Sequence, residues 1–201
     1  MNNLVFYIGL GLGLGFAAGL RPFLPALLAG VLGQSGALGV GFAHGHYHFM
    51  QSTWWLIALA VALALSYLVQ RRMGSERFST GFPGAALTGV GIGIGALLFA
   101  GTLAAHCDAS WPGLIAGALA AALVSSSATP VVAGARGRLD DRSAKEALTL
   151  YLDGAALLLA AVVALLHPLG YVALVLFVWL ASATRRRSNE KYAGLRILRR
   201  Q

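Results

Sequence analysis

Long apolar runs separated by short polar segments dominate the chain, and they predict a bundle of membrane-spanning helices. A helix that crosses a bilayer core of about 30 Å needs roughly 20 apolar residues. Six runs approach or exceed this length, so we predict an all-α polytopic membrane bundle that forms a single domain over residues 1–201. The predicted spans are 4–32, 54–70, 84–105, 112–134, 144–166 and 169–184.

His167 and Pro168 separate the last two predicted spans. If Pro168 only kinked one helix, that helix would extend from residue 144 to residue 184 and would measure about 60 Å at 1.5 Å per residue. That length is about twice the thickness of the bilayer core. We therefore predict a tight turn between two spans at this point.

The basic residues are confined to alternate loops. With the N-terminus placed in the cytoplasm, every Lys and Arg residue except Arg21 falls after span two, after span four or in the tail 185–201. Cytoplasmic loops of membrane proteins carry such an excess of positive charge. The pattern predicts that both termini are cytoplasmic and that 185–201 is a basic tail, which would contact anionic lipids of the bilayer.

Composition narrows the class of protein. Hydrophobic residues make up 58% of the chain and charged residues only 11%, whereas soluble domains have about 25% charged residues. The net charge of +8 comes from Lys and Arg residues that lie mostly in alternate loops and in the tail. Because the motifs of nucleic-acid-binding proteins are also absent, no nucleic-acid partner is expected. No catalytic set of residues emerges, so we expect neither an enzyme nor a bound cofactor.

Proline interrupts two of the predicted spans late in their course. Arg21-Pro22 lies in span one, and a hydroxyl-rich segment ending in Thr129-Pro130 lies in span four. Proline removes a backbone donor, and the freed carbonyl must find a partner within the protein or in a wet cavity. Matching interruptions suggest two inverted repeats, 1–105 and 112–184, with a transport site between them. The alternative is that proline is simply common in membrane helices.

Glycines alternate in spans one and three, a similarity that would pair the spans differently from the inverted repeat. They are Gly9, Gly11, Gly13, Gly15, Gly89, Gly91, Gly93 and Gly95. Small residues let helix backbones approach closely in a membrane. We therefore predict that spans one and three are central helices packed on both sides. The same faces could instead bind partner helices, either in a homo-oligomer or in another membrane protein.

Arg21 and Asp153 are the two charged residues that lie well inside predicted spans, away from the span ends. A charge inside a membrane costs at least about 2.5 kcal/mol, so it faces the protein interior and is a functional candidate by default. We hypothesise that the two side chains face one polar cavity and pair there. Counting along the spans leaves their depths about 10 Å apart, a gap that helix tilt and the break at Pro22 would close. The alternatives are a purely structural ion pair, or an Asp153 that only caps span five.

These residues suggest a substrate site and two classes of function. The predicted substrate-binding residues are Arg21, Pro22, Ser126, Thr129, Pro130 and Asp153. The hydroxyl groups could instead bond back to the carbonyls of their own helix. The first hypothesis is a small transporter or permease for an anionic small molecule or lipid head group, because an arginine and a half-helix end both favour anions. The second is a non-transporting scaffold or accessory subunit of a membrane complex.

Three histidines alternate in the loop after span one. His44, His46 and His48 are weak candidates for metal ligands, because zinc and copper bind imidazole but require a geometry that a loop does not guarantee. A solvated or pH-responsive loop is favoured. No metal is assigned to the protein.

Four short motifs stand out along the chain, namely the segments 19–25 (GLRPFLP), 153–155 (DGA), 167–168 (HP) and 191–198 (KYAGLRIL). Together they resemble bacterial membrane proteins of the family known as domain of unknown function 4126. The family also tends to carry a Ser/Thr-x-Pro stretch where this chain has residues 127–130. The resemblance implies a bacterial inner (plasma) membrane location and draws attention to Arg21 and Asp153. It supplies neither an activity nor a substrate, and the histidine loop is not part of it.

Overall fold

Helices make up the secondary structure of the part of the chain that the structure describes. The computed structural model describes residues 2–42, 45–74, 81–106, 110–139 and 141–198. The α-helices in these ranges are α1 (Asn2–Leu20), α2 (Phe23–Ser35), α3 (Thr53–Met73), α4 (Phe82–His106), α5 (Trp111–Arg136), α6 (Arg142–Leu165) and α7 (Leu169–Leu198). Two short 3₁₀ segments, Ala37–Gly39 and Gly45–Gln51, lie between α2 and α3.

Local residue chemistry sets several helix ends. The Ser52 side chain accepts a hydrogen bond from the amide of Trp55 at the start of α3, and Asp141 caps α6 in the same way through the amide of Ser143. Such caps satisfy backbone donors that have no partner in the first turn of a helix. Helix α2 ends at Gly36, whose φ of 63° is the left-handed conformation that glycine adopts without a steric penalty.

The helices have the length and exposure expected of membrane spans. Four of them, α3 to α6, are long and apolar enough to cross a bilayer, and shorter apolar stretches cover 4–20, 23–35 and 169–183. Large apolar side chains are exposed on the outer surface of the bundle, among them Leu119, Leu158 and Val175. The prediction of an all-helical membrane bundle is confirmed at this level, whereas the count of six spans is not.

The two ends of the bundle differ in chemistry. One end, called here the histidine end, holds His106 at the end of α4 and His167 in the turn between α6 and α7. The opposite end, called the basic end, holds Arg71, Arg72, Arg136 and Lys145. The described cations of the loops therefore lie together, as the charge pattern predicts.

The first predicted span is in fact two antiparallel helices, so that prediction is wrong. In the first half of α1, a Cβ placed on Gly9 would lie 2.4 Å from the carbonyl oxygen of His167 at the histidine end. Arg21 then meets Asp153, which lies near the middle of α6. Helix α2 turns back, because a Cβ on Gly39, just after its end, would again lie 3.4 Å from the His167 ring.

The hairpin of α1 and α2 therefore enters from the histidine end, reaches mid-depth and returns. From Asp153 to Leu165 at the end of α6 is about 18 Å at 1.5 Å per residue. The 13 residues of α2 measure about 20 Å by the same rise, which is too short for a full crossing. Arg21 and Pro22 form the tip of this re-entrant hairpin.

The hairpin also changes the relation between the two ends of the chain. Helices α1 and α7 run parallel, because Gly9 lies against Gly170 and the ring of Phe16 lies 5.4 Å from that of Phe177. Both helices start at the histidine end and lead towards the basic end. The sequence predicts that both termini lie on one side. This geometry disagrees with that prediction, because a hairpin in place of the first span adds one reversal of direction and so puts the start of α1 and the end of α7 at opposite ends of the bundle.

Close packing of small residues joins α1, α4 and α5. A Cβ on Gly117 of α5 would lie 2.4 Å from the carbonyl oxygen of Gly95 on α4, and a Cβ on Gly19 of α1 would lie 2.5 Å from the Ala121 carbonyl oxygen. The prediction of a central helix is confirmed for α1, which is packed on both faces. It fails for the first half of α4, where a Cβ on Gly93 would meet no atom within 4 Å.

The interruption predicted at Pro130 is wrong, since α5 continues through it to Arg136. Hydroxyl groups on the preceding turn donate to the helix carbonyls, among them Thr129 to the carbonyl of Ser125. The acceptors of the Ser125, Ser126 and Thr129 hydroxyls are the carbonyls of Ala121, Leu123 and Ser125, and not that of Ser126, which loses its amide donor at Pro130. The described ranges place four α-helices in the first proposed repeat and three in the second, so nothing in the fold supports the inverted repeat.

Candidate functional site

A buried ion pair fixes the hairpin tip to the middle of the bundle. Arg21 Nε lies 3.0 Å from Asp153 Oδ1, and the two side chains are 15% and 5% exposed. The Tyr67 hydroxyl on α3 donates a hydrogen bond to Asp153 Oδ2. Both carboxylate oxygens of Asp153 are therefore used, which compensates for the cost of burying the charge. The hypothesised pairing of Arg21 with Asp153 is confirmed. The predicted difference in depth between the two residues disappears, because α1 starts at the histidine end and not at the basic end.

A second polar layer lies about one helical turn closer to the basic end. Gln70 Nε2 donates to Thr149 Oγ1 at 3.0 Å, and Arg136 Nη2 donates to the same oxygen at 3.2 Å. The Thr149 hydroxyl itself donates to the carbonyl of Lys145 at 3.2 Å. Gln70 follows Tyr67 by three residues and Thr149 precedes Asp153 by four, spacings that place each pair on one helix face.

A cavity of about 180 Å³ lies beneath the hairpin tip, and we call it the basic cavity. It forms because the hairpin fills only the half of the bundle at the histidine end. The polar residues that line it are Arg21, Gln70, Thr88, Ser125, Thr129 and Arg136. Of its described lining residues, two are cations and none is acidic. Within the part of the chain that the structure describes, Arg136 Nε is buried without a hydrogen-bond partner, so the protein does not fully satisfy this guanidinium.

The N-terminus of α2 adds to the positive potential at the tip. Pro22, which lines the cavity, is the N-cap of α2 and supplies no side-chain cap. Helix N-termini carry a partial positive charge and favour anions. The tip therefore brings a helix N-terminus and the Arg21 guanidinium to the same cavity wall.

The predicted site residues divide into three groups. Arg21, Pro22 and Thr129 line the basic cavity. Asp153 lies behind them, in a small adjoining pocket that it shares with Tyr67. Ser126 and Pro130 do not line the basic cavity, and their role as substrate ligands stays a prediction.

Ser126 and Pro130 lie instead on an exposed groove between α4 and α5, which we call the α4–α5 groove. It has a volume of about 510 Å³. Its lining residues are Thr88, Ile92, Ala122, Ser125, Ser126, Thr129 and Pro130. The hydroxyls of Ser125, Ser126 and Thr129 donate to carbonyls of α5 itself, which confirms the interpretation that these groups bond back to their own helix.

The candidate metal ligands do not assemble among the residues that the structure describes. His46 and His48 are exposed on a 3₁₀ segment, and His44 lies outside the described residues. Within the described ranges, no three His, Cys, Asp or Glu side chains come together. His106 makes an aromatic contact, stacking on Tyr7 with ring centroids 3.4 Å apart.

Sequence reasoning missed four polar residues of the site. Tyr67, Gln70 and Thr149 went unnoticed because they are uncharged and lie near the ends of apolar runs. Arg136 was assigned to a cytoplasmic loop, although it lies in the last turn of α5. The spacing of Thr149 from Asp153 was an available signal, since residues four apart on a helix face the same side.

Comparison with known proteins adds one match. The family described as domain of unknown function (DUF4126) matches residues 8–187, a range that includes the hairpin tip and both polar layers. No curated protein and no solved structure matches the chain.

Proposed function

The chain belongs to the domain of unknown function 4126 family, and from this premise we propose that it is a membrane transport protein for anions. The substrate class is an anionic small molecule or lipid head group, and the basic cavity is the binding site. Neither a cofactor nor a catalytic reaction enters this proposal.

One observation carries the proposal: two arginines and no described acidic residue line a cavity inside a membrane bundle. A guanidinium in a membrane interior is expensive unless an anion compensates it. Asp153 compensates Arg21 from behind the cavity. Among the described residues, Arg136 donates to the Thr149 hydroxyl and its Nε has no partner, so an anionic ligand would supply the missing charge.

The re-entrant hairpin supports transport in particular. Discontinuous helices whose half-helix ends meet near mid-depth are typical of transporter binding sites. Here the break between α1 and α2 lies beside Asp153, near the middle of α6. An anion that engaged Arg21 would compete with Asp153 for the same guanidinium. Substrate binding would thereby loosen the contact that holds the hairpin tip.

The orientation follows from the charge distribution. We propose that the basic end faces the cytoplasm of a bacterial cell, since cytoplasmic ends of membrane proteins carry the excess of Lys and Arg. The start of α1 would then face the opposite side. The basic cavity would lie on the cytoplasmic side of the hairpin tip, and the tail 185–201 would contact anionic lipids of the inner leaflet.

The test is transport by the full chain in phosphatidylcholine vesicles, with a panel of small anions and fluorescent anionic lipids. Arg136→Gln should lower the transport rate by about tenfold or more, the factor that corresponds to the loss of one charge-assisted contact. Arg138→Gln is the matched control, because it removes an equal charge from an exposed position two residues away. If wild-type vesicles transport no member of the panel faster than empty vesicles do, the proposal is wrong.

A further inference from the structure

The basic cavity and the α4–α5 groove adjoin one another. Thr88, Ser125 and Thr129 line both of them. The cavity reaches the interior ion pair through Arg21, while the groove is open on the outer surface, where Ser126 and Pro130 are exposed. A ligand could therefore occupy both at once, with one part inside the bundle and the other part on its lipid-facing side.

The two compartments differ in chemistry. The cavity presents two guanidinium groups. In the groove, the hydroxyls of Ser125, Ser126 and Thr129 donate to their own helix carbonyls, and the remaining lining residues are apolar apart from Thr88, which also donates to a carbonyl of its helix. Hydroxyls bonded in this way offer little to a hydrated ligand. The groove therefore suits a hydrocarbon chain, and the cavity suits an anionic group.

We propose that the ligand of the basic cavity is an anionic lipid, whose head group enters sideways from the bilayer between α4 and α5 while its acyl chain stays in the α4–α5 groove. This inference rests on the proposed function and narrows its substrate class. It gives the head group a path from the bilayer to Arg136 and Arg21 past the three residues that line both compartments.

Binding to the purified full chain in neutral detergent tests the inference. The probes are dioleoyl phosphatidic acid, dioleoyl phosphatidylcholine and inorganic phosphate. Ser126→Trp places an indole in the groove, and Val131→Trp places one at an exposed position of α5 that lines neither compartment. We expect Ser126→Trp to weaken phosphatidic acid binding by about tenfold or more and Val131→Trp to leave it unchanged. Phosphatidylcholine should bind weakly to every variant.

The outcomes separate the two proposals. If Ser126→Trp binds phosphatidic acid as tightly as the wild type does, the lateral entry is wrong. If inorganic phosphate binds as tightly as phosphatidic acid and Arg136→Gln abolishes both, the anion site stands and the lipid inference fails. If neither probe binds the wild-type protein, the proposed anion site fails and the inference fails with it. Ala122→Leu, a smaller obstruction, replaces Ser126→Trp if the tryptophan variant does not fold.

Discussion

The half of the bundle at the histidine end and the half at the basic end are built in different ways. At the histidine end the re-entrant hairpin fills the centre, and helices meet at glycines such as Gly13 against Val163 and Gly117 against Gly95. At the basic end the hairpin is missing from the centre, and Gln70 and Arg136, which both donate to Thr149, line a cavity instead. The same set of helices thus provides a close-packed half that holds the site in place and a polar half that can receive a ligand.

The ion pair lies at the boundary of the two halves, so breaking it should have the largest effect. Arg21→Ala leaves Asp153 buried with only the Tyr67 hydroxyl as a described partner. Removing one partner of a buried pair costs about 3 to 5 kcal/mol, and we expect that loss in the free energy of unfolding measured by detergent titration. The double variant Arg21→Ala, Asp153→Asn removes both charges and should lose less. Equal stability of Arg21→Ala and the wild type would show that the pair does not hold the tip.

Packing at the histidine end should be less tolerant of added volume than packing at the basic end. A Cβ on Gly117 would overlap the backbone of α4, whereas a Cβ on Gly134, later on the same helix, meets no atom within 4 Å. Gly117→Val should lower the free energy of unfolding by about 1 to 3 kcal/mol. Gly134→Val should change it by no more than about 0.5 kcal/mol. Similar losses for the two variants would contradict the division into halves.

Pro22 and Pro130 give the smallest contrast. Pro22 lies at the tip between two helices, while Pro130 lies inside a helix that continues through it. Pro130→Ala restores one backbone donor within α5, and a membrane hydrogen bond is worth about 0.6 kcal/mol. We expect a gain in the free energy of unfolding of that order, measured by the same titration. A loss of stability would indicate that α5 depends on the proline for its shape.

The sequence predicted the chemistry of this site better than its topology. Arg21 and Asp153 were identified because charge is costly in lipid, and that rule holds whatever the path of the chain. The hairpin was missed because residues 4–32 are apolar throughout apart from Arg21, and hydropathy does not record a change of direction. Pro22 and Pro130 carry the same local signal, yet only the helix at Pro22 ends, with Arg21 drawn into an ion pair on α6. A tertiary contact of this kind is not encoded in either segment alone.

The position of Asp153 on the sixth helix has a consequence for biogenesis. The ribosome delivers α1 and α2 first, when the carboxylate that neutralises Arg21 has not yet been synthesised. An unpaired guanidinium is costly at mid-membrane. We therefore expect the nascent hairpin to stay near the membrane surface until α6 has been inserted. Assembly of this protein would then end with its first helices, which would move into place between helices that were translated after them.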